Sequence, residues 1–283
     1  MKMKDKIETV PKGAKFLSDW MTETPENCVL SKGITGCGAT TLAIKQPGHT
    51  ILAMPFRGLV SNKAASNPDL LGIHGDMDRE AAIANYVKTH DTLKIATTYD
   101  SFPFVCDTLE ALGFDPYKDF FLFVDEWHIL FNSYMFRKQA ARHLLEKAKR
   151  FDRKTFVSAT PIPSEYWLSE LTSLPEHKIV WPDAVRVAVN PIKVDDPADY
   201  MARLCKSRMK NGGDDNYHIF LNSVEGISKI IRRANLFPTE CRIVCSQSAD
   251  SLKENLSKLP DGFEIQTTLD PVKTFNFYTS TCF

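Results

Sequence analysis

The chain has 283 residues, of which 43% are hydrophobic and 25% charged, and its 35 basic residues balance its 35 acidic residues. This composition is that of a globular protein of one or two domains, and the neutral balance provides no overall positive field for nucleic acid or anionic membrane. No apolar run approaches the roughly 20 residues of a membrane-spanning helix. The seven cysteines lack the paired spacing of a zinc site or a disulfide scaffold. We therefore expect a cytoplasmic protein with reduced thiols and no membrane partner.

Short apolar runs alternate with helical patterns through the first part of the chain. We predict buried strands at five segments: Cys28–Lys32, His49–Pro55, Leu93–Tyr99, Phe120–Val124 and Thr155–Ser158. Segments with helical spacing of apolar residues are predicted as helices: Thr40–Lys45, Arg79–Lys88, Phe104–Leu112, Tyr134–Lys149 and Ser164–Leu171. Strands that are apolar along their whole length and alternate with helices predict an α/β fold on a parallel sheet with both faces covered.

A proline-studded stretch with Pro175, Pro182, Pro191 and Pro197 predicts the passage between two domains. Alternation then resumes, with strands predicted at Tyr217–Asn222, Cys241–Ser246, Phe263–Thr267 and Thr274–Thr279, and helices at Val224–Ala234 and Ser248–Leu259. We expect a first domain over residues 1–185 and a second over residues 186–283. The second is short for this class, so we expect it to be incomplete at its C-terminus.

A glycine-rich segment, KGITGCGATT, lies between the first of these strands and a helix. Its glycines would let successive backbone N–H groups converge on a phosphate. Thr40 lies where a hydroxyl would bind Mg²⁺, whereas Ala39 occupies the position at which such loops carry a phosphate-binding lysine. Lys32 is the nearest candidate to restore that charge, and the alternative interpretation is a glycine-rich turn with no ligand.

The segment FFLFVDEWH is a strand of apolar residues that ends in two adjacent carboxylates, Asp125 and Glu126. Acidic side chains at the carboxyl end of a strand face the crevice in which α/β proteins bind ligands. Asp125 could hold Mg²⁺ and Glu126 could polarise an attacking water, and the alternative is a solvated strand end. Farther on, Ser158 and Thr160 follow another short strand, where small hydroxyl side chains could hydrogen-bond the carboxylates.

The order of these segments resembles that of the superfamily 2 helicases of the DEAD/DEAH type. The resemblance rests on GITGCGATT, followed by MPFR (Met54–Arg57), TTYDS (Thr97–Ser101), DEWH (Asp125–His128) and SATP (Ser158–Pro161). Two later segments are similar to parts of that family's second RecA-like domain, HIFLNSVEGISKII (His218–Ile231) and FNFYTSTCF (Phe275–Phe283). The resemblance implies a RecA-like P-loop domain that binds ATP, followed by a second, truncated RecA-like domain.

The resemblance implies ATP and Mg²⁺ as cofactors and gives individual residues roles in holding them. Glu126 and Asp125 would be catalytic, and Thr40 and Asp125 would hold the metal. ATP would be bound by Lys32, Gly33, Thr35, Gly36, Cys37, Gly38, Ala39, Thr40 and Thr41.

The resemblance also implies residues that couple the nucleotide to a nucleic acid. His128, Ser158 and Thr160 would transmit the nucleotide state to the neighbouring domain. The segments MPFR and TTYDS would contact the backbone of a single strand of DNA or RNA, through Arg57, Thr98 and Ser101.

Two hypotheses from different classes follow. The first is a nucleic-acid-dependent ATPase, a helicase or translocase that uses ATP hydrolysis to move on or unwind DNA or RNA. The second is a catalytically silent, helicase-like module that binds nucleic acid or protein. Ala39 favours the second, and the adjacent carboxylates Asp125 and Glu126 favour the first. A packaging-type motor would share the same loops.

Overall fold

The computed structural model describes residues 5–75, 77–131, 138–160, 162–184, 189–245, 249–266 and 271–279. Contacts within the chain divide it into two compact units, Met1–Arg186 and Val187–Phe283. Among the described residues, no helix combines the length and the apolar character needed to cross a bilayer.

The described part of the first unit contains an eight-stranded sheet in which every pair of neighbouring strands is parallel. Its strands are β1 (Lys6–Thr9), β2 (Cys28–Ser31), β3 (His49–Met54), β4 (Leu70–Ile73), β5 (Lys94–Thr98), β6 (Phe120–Asp125), β7 (Arg153–Ser158) and β8 (Glu176–Val180). They lie side by side in the order β1-β8-β2-β7-β6-β3-β5-β4. The predicted α/β fold with a parallel sheet is confirmed.

Helices connect the consecutive strands from β2 to β7, as is usual for parallel strands. They are α1 (Ala39–Lys45), α2 (Arg57–Ser66), α3 (Arg79–Thr89), α4 (Phe102–Ala111), α5 (Pro116–Asp119) and α6 (Lys138–Ala148). The helix predicted over Tyr134–Lys149 corresponds to α6, and residues 132–137 lie outside the described residues.

The central strand β6 is apolar up to its last residue because both faces of the sheet are buried there. In β6, Leu122 and Val124 belong to the cluster on one face, and Phe121 and Phe123 belong to the cluster on the other. All four side chains are fully buried. The central strands are therefore fixed from both sides, which holds the strand ends in place.

One prediction in this unit is wrong. The segment Ser164–Leu171 is not a helix, because a short 3₁₀ turn over Ser164–Tyr166 ends at Trp167, whose backbone is extended and whose indole donates to the Ile162 carbonyl at 2.8 Å. The proline-studded stretch contains the division between the two units, and it also contains β8, which lies between β1 and β2. The strands β1, β4 and β8 and the helix α2 were not predicted from the sequence.

The described part of the second unit has a four-stranded parallel sheet in the order β11-β10-β12-β9. Its elements are α7 (Pro197–Asn211), β9 (Tyr217–Phe220), α8 (Val224–Ala234), β10 (Cys241–Val244), α9 (Ala249–Lys258), β11 (Ile265–Gln266) and β12 (Phe275–Tyr278). The ends of the predicted segments Cys241–Ser246, Ser248–Leu259 and Phe263–Thr267, at residues 246–248 and 267, lie outside the described residues, as do residues 280–283.

Candidate nucleotide site

The glycine-rich segment and the acidic pair lie at the same edge of the first sheet. The loop follows β2, Asp125 ends β6, and Ser158 ends β7, which lies between those two strands. Because all three strands run in the same direction, their carboxyl ends meet at one edge, where α/β proteins bind their ligands. The predicted motifs, far apart in sequence, therefore share one site.

Packing against β8 fixes the start of the glycine loop. Gly33 has a φ of 78°, and a Cβ there would lie 2.7 Å from the carbonyl oxygen of Ile179. The indole of Trp181 donates a hydrogen bond to the Lys32 carbonyl at 2.8 Å. Only glycine combines that backbone conformation with that close approach.

The remaining loop residues divide between surface and interior. Thr35 and Gly36 are exposed, Thr41 is half-buried, and Cys37 and Ala39 are buried against the core. Gly38, with a φ of 81°, immediately precedes α1 and brings Thr40 onto the first turn of that helix. The loop thus presents its middle to solvent and its end to the acidic pair.

The side chains of Lys32, Thr40, Asp125 and Glu126 form one hydrogen-bonded network. The Lys32 ammonium lies 3.3 Å from Asp125 Oδ1 and 2.7 Å from Glu126 Oε1. The Thr40 hydroxyl donates to Asp125 Oδ2 at 3.1 Å. Lys32 is buried, with 7% of its side chain exposed. Burial alone would lower the pKa of Lys32, but the Asp125 and Glu126 carboxylates outweigh it and raise that pKa.

His128 and Ser158 extend this network toward the end of β7. His128 Nδ1 lies 2.8 Å from Ser158 Oγ and 3.3 Å from Glu126 Oε2. Ser158 Oγ in turn accepts from the Thr160 N–H at 2.9 Å and closes a tight turn. The three predicted coupling residues are therefore linked to the acidic pair through one imidazole, and Pro161 lies outside the described residues.

Glu126 has a left-handed backbone, with a φ of 51°. This conformation costs a non-glycine residue roughly 1–2 kcal/mol. The Glu126 N–H donates to Asp125 Oδ1 at 3.1 Å, and the Tyr99 hydroxyl donates to the Asp125 carbonyl. The acidic pair thus sits on a peptide that its neighbours hold in an unfavourable conformation.

The predicted nucleic-acid residues have unequal exposure. Arg57, at the start of α2, is exposed, whereas Thr98 and Ser101 are buried and hydrogen-bond each other at 3.2 Å through their hydroxyls. Arg79 donates to Ser101 Oγ at 3.4 Å and lies over the Phe104 ring at 4.2 Å. Arg79 was not predicted as a site residue, although it begins the predicted helix Arg79–Lys88, which precedes TTYDS in the sequence.

A cavity of about 400 Å³ adjoins the glycine loop. Ile34 of the loop lines it together with residues 10, 11 and 13–15 after β1 and Trp181 and Asp183 after β8. Its walls are mostly apolar, with Lys15 and Asp183 as the charged residues. Trp181 was not among the site residues predicted from the sequence. Its part in this cavity depends on β8, which the sequence pattern did not reveal.

The donor atoms at this edge fit a magnesium ion. Mg²⁺ in nucleotide sites is held by hard oxygen ligands, typically one or two carboxylates and the phosphates themselves. Asp125 and Thr40 offer a carboxylate and a hydroxyl oxygen 3.1 Å apart. Among the described residues, no group of three or more His, Cys, Asp or Glu side chains could hold a metal by itself.

Comparisons with known proteins concern the fold. No protein-family profile matches the chain, and no curated protein matches it. Mycobacterium smegmatis helicase Lhr, solved with ssDNA and AMP-PNP, aligns at a TM-score of 0.47 and 17% identity over 90% of this chain and 38% of that chain. The DUF1998 helicase MrfA, solved with DNA and AMPPNP, aligns at a TM-score of 0.53 and 14% identity over 89% of this chain and 46% of that chain.

The chain therefore spans less than half of either helicase chain. At 14% identity, the likeness to MrfA concerns the arrangement of strands and helices. Together with the parallel sheet and the covered faces of the first unit, it shows that this unit has the α/β fold of helicase RecA-like domains.

Proposed function

We propose that the chain binds ATP with Mg²⁺ at the carboxyl edge of the first sheet and uses ATP hydrolysis to move on or unwind a nucleic acid. One observation carries this proposal: Lys32, Thr40, Asp125 and Glu126 form a single buried or half-buried network beside the glycine loop. A strand end with no ligand has no need for two carboxylates, a buried ammonium and a hydroxyl at hydrogen-bonding distance.

Thr40 and Asp125 would hold the metal, and Glu126 would orient the attacking water. When bound, Mg²⁺ would supply charge neutralisation on the phosphates. The Lys32 ammonium lies 2.7 Å from Glu126 Oε1, so that oxygen becomes available to the attacking water when Lys32 turns away. We assign to Lys32 the charge that Ala39 lacks: its ammonium leaves the carboxylates for the phosphates when the nucleotide binds.

The apolar cavity beside Ile34 supports a nucleotide as the ligand, in preference to a bare phosphate. Its volume of about 400 Å³ falls within the range of small-molecule sites. The indole of Trp181 and the carboxylate of Asp183 would recognise the base and ribose. ATP should therefore bind more tightly than tripolyphosphate, which carries the same phosphates and lacks the nucleoside.

The nucleic acid would lie along the ends of β3, β4 and β5. Arg57 is exposed after the end of β3, and Arg79 and Ser101, which follow β4 and β5, form a polar pair. MrfA was solved with DNA and AMPPNP, which supports this assignment for a chain with a similar fold. We further take the second unit, residues 187–283, as the partner RecA-like domain.

The nucleotide half of the proposal is tested by ATP titration and turnover, with and without Mg²⁺. Wild type should bind ATP in a metal-dependent way and hydrolyse it. Glu126→Gln should retain binding and lose turnover by about 100-fold or more, because it removes the water-orienting carboxylate and keeps the side-chain shape. Unimpaired turnover in Glu126→Gln would contradict the role given to Glu126.

The nucleic-acid half is tested by the salt dependence of oligonucleotide binding. Affinity should fall steeply with salt, because phosphate contacts release counterions. Arg57→Ala should weaken binding and reduce the salt slope by about one, with unchanged thermal stability. Lys45→Ala, an exposed lysine at the far end of α1, is the matched control. Salt-independent binding, or equal affinity in wild type and Arg57→Ala, would refute this half.

A catalytically silent binding module is the second candidate, and one observation favours it. The residue at the usual lysine position, Ala39, is buried at 4% exposure, and the nearby ammonium of Lys32 already pairs with both carboxylates. In that case Lys32 would be a permanent structural partner of Asp125 and Glu126. Absence of nucleotide binding at millimolar ATP with Mg²⁺ would select this candidate.

A further inference from the structure

Tyr99 lies where the predicted nucleic-acid segments meet the acidic pair. It follows β5 directly, is 5% exposed, and belongs to the core cluster on one face of the sheet. Its backbone N–H donates to the Met54 carbonyl at 3.0 Å, and its hydroxyl donates to the Asp125 carbonyl. Tyr99 therefore touches the end of β3, from which MPFR begins, and the end of β6, where the acidic pair begins.

The hydroxyl of Tyr99 donates to the Asp125 carbonyl just past the end of the pairing between β3 and β6. That registered pairing ends at Ala53 and Val124, whereas Asp125 is still in register with Val157 of β7. The phenol therefore holds the end of β6 from the side on which β3 no longer pairs with it.

This hydrogen bond acts on the peptide that orients Glu126. The Asp125 carbonyl belongs to the peptide bond that leads into Glu126, whose φ is 51°. Because a left-handed glutamate is unfavourable by itself, its orientation depends on the groups that hold that peptide. A displacement of Tyr99 would therefore turn the Glu126 carboxylate relative to Lys32 and His128.

Tyr99 is also tied to the surface that would receive nucleic acid. Two residues after it, Ser101 accepts a hydrogen bond from Arg79 and begins α4. A phosphate that drew Arg79 away from Ser101 would loosen the turn that contains Tyr99. We propose, on the basis of the function proposed above, that Tyr99 is a positioning residue that couples nucleic-acid binding to the orientation of Glu126.

Tyr99→Phe tests this coupling, because it removes only the hydroxyl. The rate of ATP turnover with Mg²⁺ is measured with and without a saturating single strand, oligothymidylate or oligouridylate, whichever binds more tightly. In wild type we expect the strand to raise turnover by about 10-fold. In Tyr99→Phe we expect that factor to fall to about 2 or less, while the affinity for ATP alone and for the strand alone stays within about 3-fold of wild type.

Tyr86→Phe is the matched control. The Tyr86 hydroxyl also donates to backbone carbonyls, those of Asp69 and Lys94, but these lie at the amino ends of β4 and β5, at the edge of the sheet opposite to the acidic pair. A merely structural role for Tyr99 would lower the melting temperature of both variants and leave the coupling factor unchanged in both. We expect the coupling to be lost in Tyr99→Phe alone.

The outcomes separate this inference from the function on which it rests. Wild type that binds neither ligand refutes the proposed function and this inference with it. Wild type that binds both ligands and hydrolyses ATP at a rate that the strand does not change refutes only the role of Tyr99, as does Tyr99→Phe with full coupling or an equal loss of coupling in Tyr86→Phe.

Discussion

Two buried lysines lie at opposite edges of the first sheet and have opposite surroundings. Lys32 follows β2 at the carboxyl edge and pairs with Asp125 and Glu126. Lys94 begins β5 at the amino edge, is 7% exposed, and donates to the Gln46 carbonyl at 2.6 Å and the Thr50 hydroxyl at 2.8 Å. Within the part of the chain that the structure describes, Lys94 has no carboxylate at ion-pair distance.

The pKa of each lysine reflects this difference. Burial, with a small contribution from Arg153, lowers the pKa of Lys94 from 10.5 to about 8. At Lys32 the two carboxylates reverse the effect of burial and raise the pKa. A buried ammonium with carboxylate partners keeps its charge, which is what a phosphate-binding site needs. A buried ammonium held by neutral oxygens is a structural hydrogen-bond donor that loses its charge easily.

Exchanging each lysine for methionine should give the largest difference between the two edges. Lys32→Met leaves two adjacent carboxylates without a cation, so we expect the free energy of unfolding at pH 7 to fall by about 3 kcal/mol. Lys94→Met removes two hydrogen bonds, but it also removes a charge that is unfavourable to bury. Because these effects oppose each other, we expect the free energy of unfolding to change by no more than about 1 kcal/mol. Chemical denaturation measures both, and equal losses would contradict the assigned surroundings.

A pH series should isolate Lys94. Its folded-state pKa of about 8 lies below the unfolded value of 10.5, so the unfolded chain binds more protons in that window. Stability should therefore rise with pH from about 8 to 10.5, by about 2 kcal/mol more in wild type than in Lys94→Met. Lys32 does not contribute to this rise. Because its folded-state pKa is raised, its contribution to stability is constant below pH 10.5 and is lost as the pH rises above the folded-state pKa. Parallel wild-type and Lys94→Met curves would refute the lowered pKa.

A pair of glycines gives the smallest of these effects. Gly33 and Gly48 have nearly the same φ, 78° and 76°, at the carboxyl and amino edges. Alanine at either position is strained, but only at Gly33 would the new Cβ meet an atom, the Ile179 oxygen at 2.7 Å, since nothing lies within 4 Å at Gly48. We expect Gly33→Ala to destabilise the protein by about 1 kcal/mol more than Gly48→Ala. Equal melting temperatures for Gly33→Ala and Gly48→Ala would show that β8 does not restrict the space at Gly33.

The sequence was sufficient to predict elements whose signals are local. The helix Val224–Ala234 is confirmed at both ends, because Ser223 caps it with a hydrogen bond to the Gly226 N–H and Asn235 ends it with a left-handed backbone. The strands of the first sheet were predictable wherever both faces are buried. Weak alternation hid β8, whose burial alternates along EHKIV within a stretch marked by prolines.

The site was only partly predictable, because its contacts join residues far apart in sequence. Lys32 was a candidate from its place beside the loop, but its pairing with residues 93 and 94 positions away depends on β2, β7 and β6 lying side by side. The burial of Thr98 and the role of Tyr99 depend equally on the neighbouring strands. No local pattern marks which hydroxyl of TTYDS faces inward.

The central claim is that Lys32 supplies the positive charge that Ala39 lacks. It is tested most directly by ATP titration with Mg²⁺ of wild type, Lys32→Ala and the exposed control Lys45→Ala, at a temperature where all three are folded. A charge-assisted contact to a phosphate strengthens binding by about 10-fold or more. We predict at least that loss in Lys32→Ala and a change within about 2-fold in Lys45→Ala. Equal affinities for Lys32→Ala and wild type would contradict the claim.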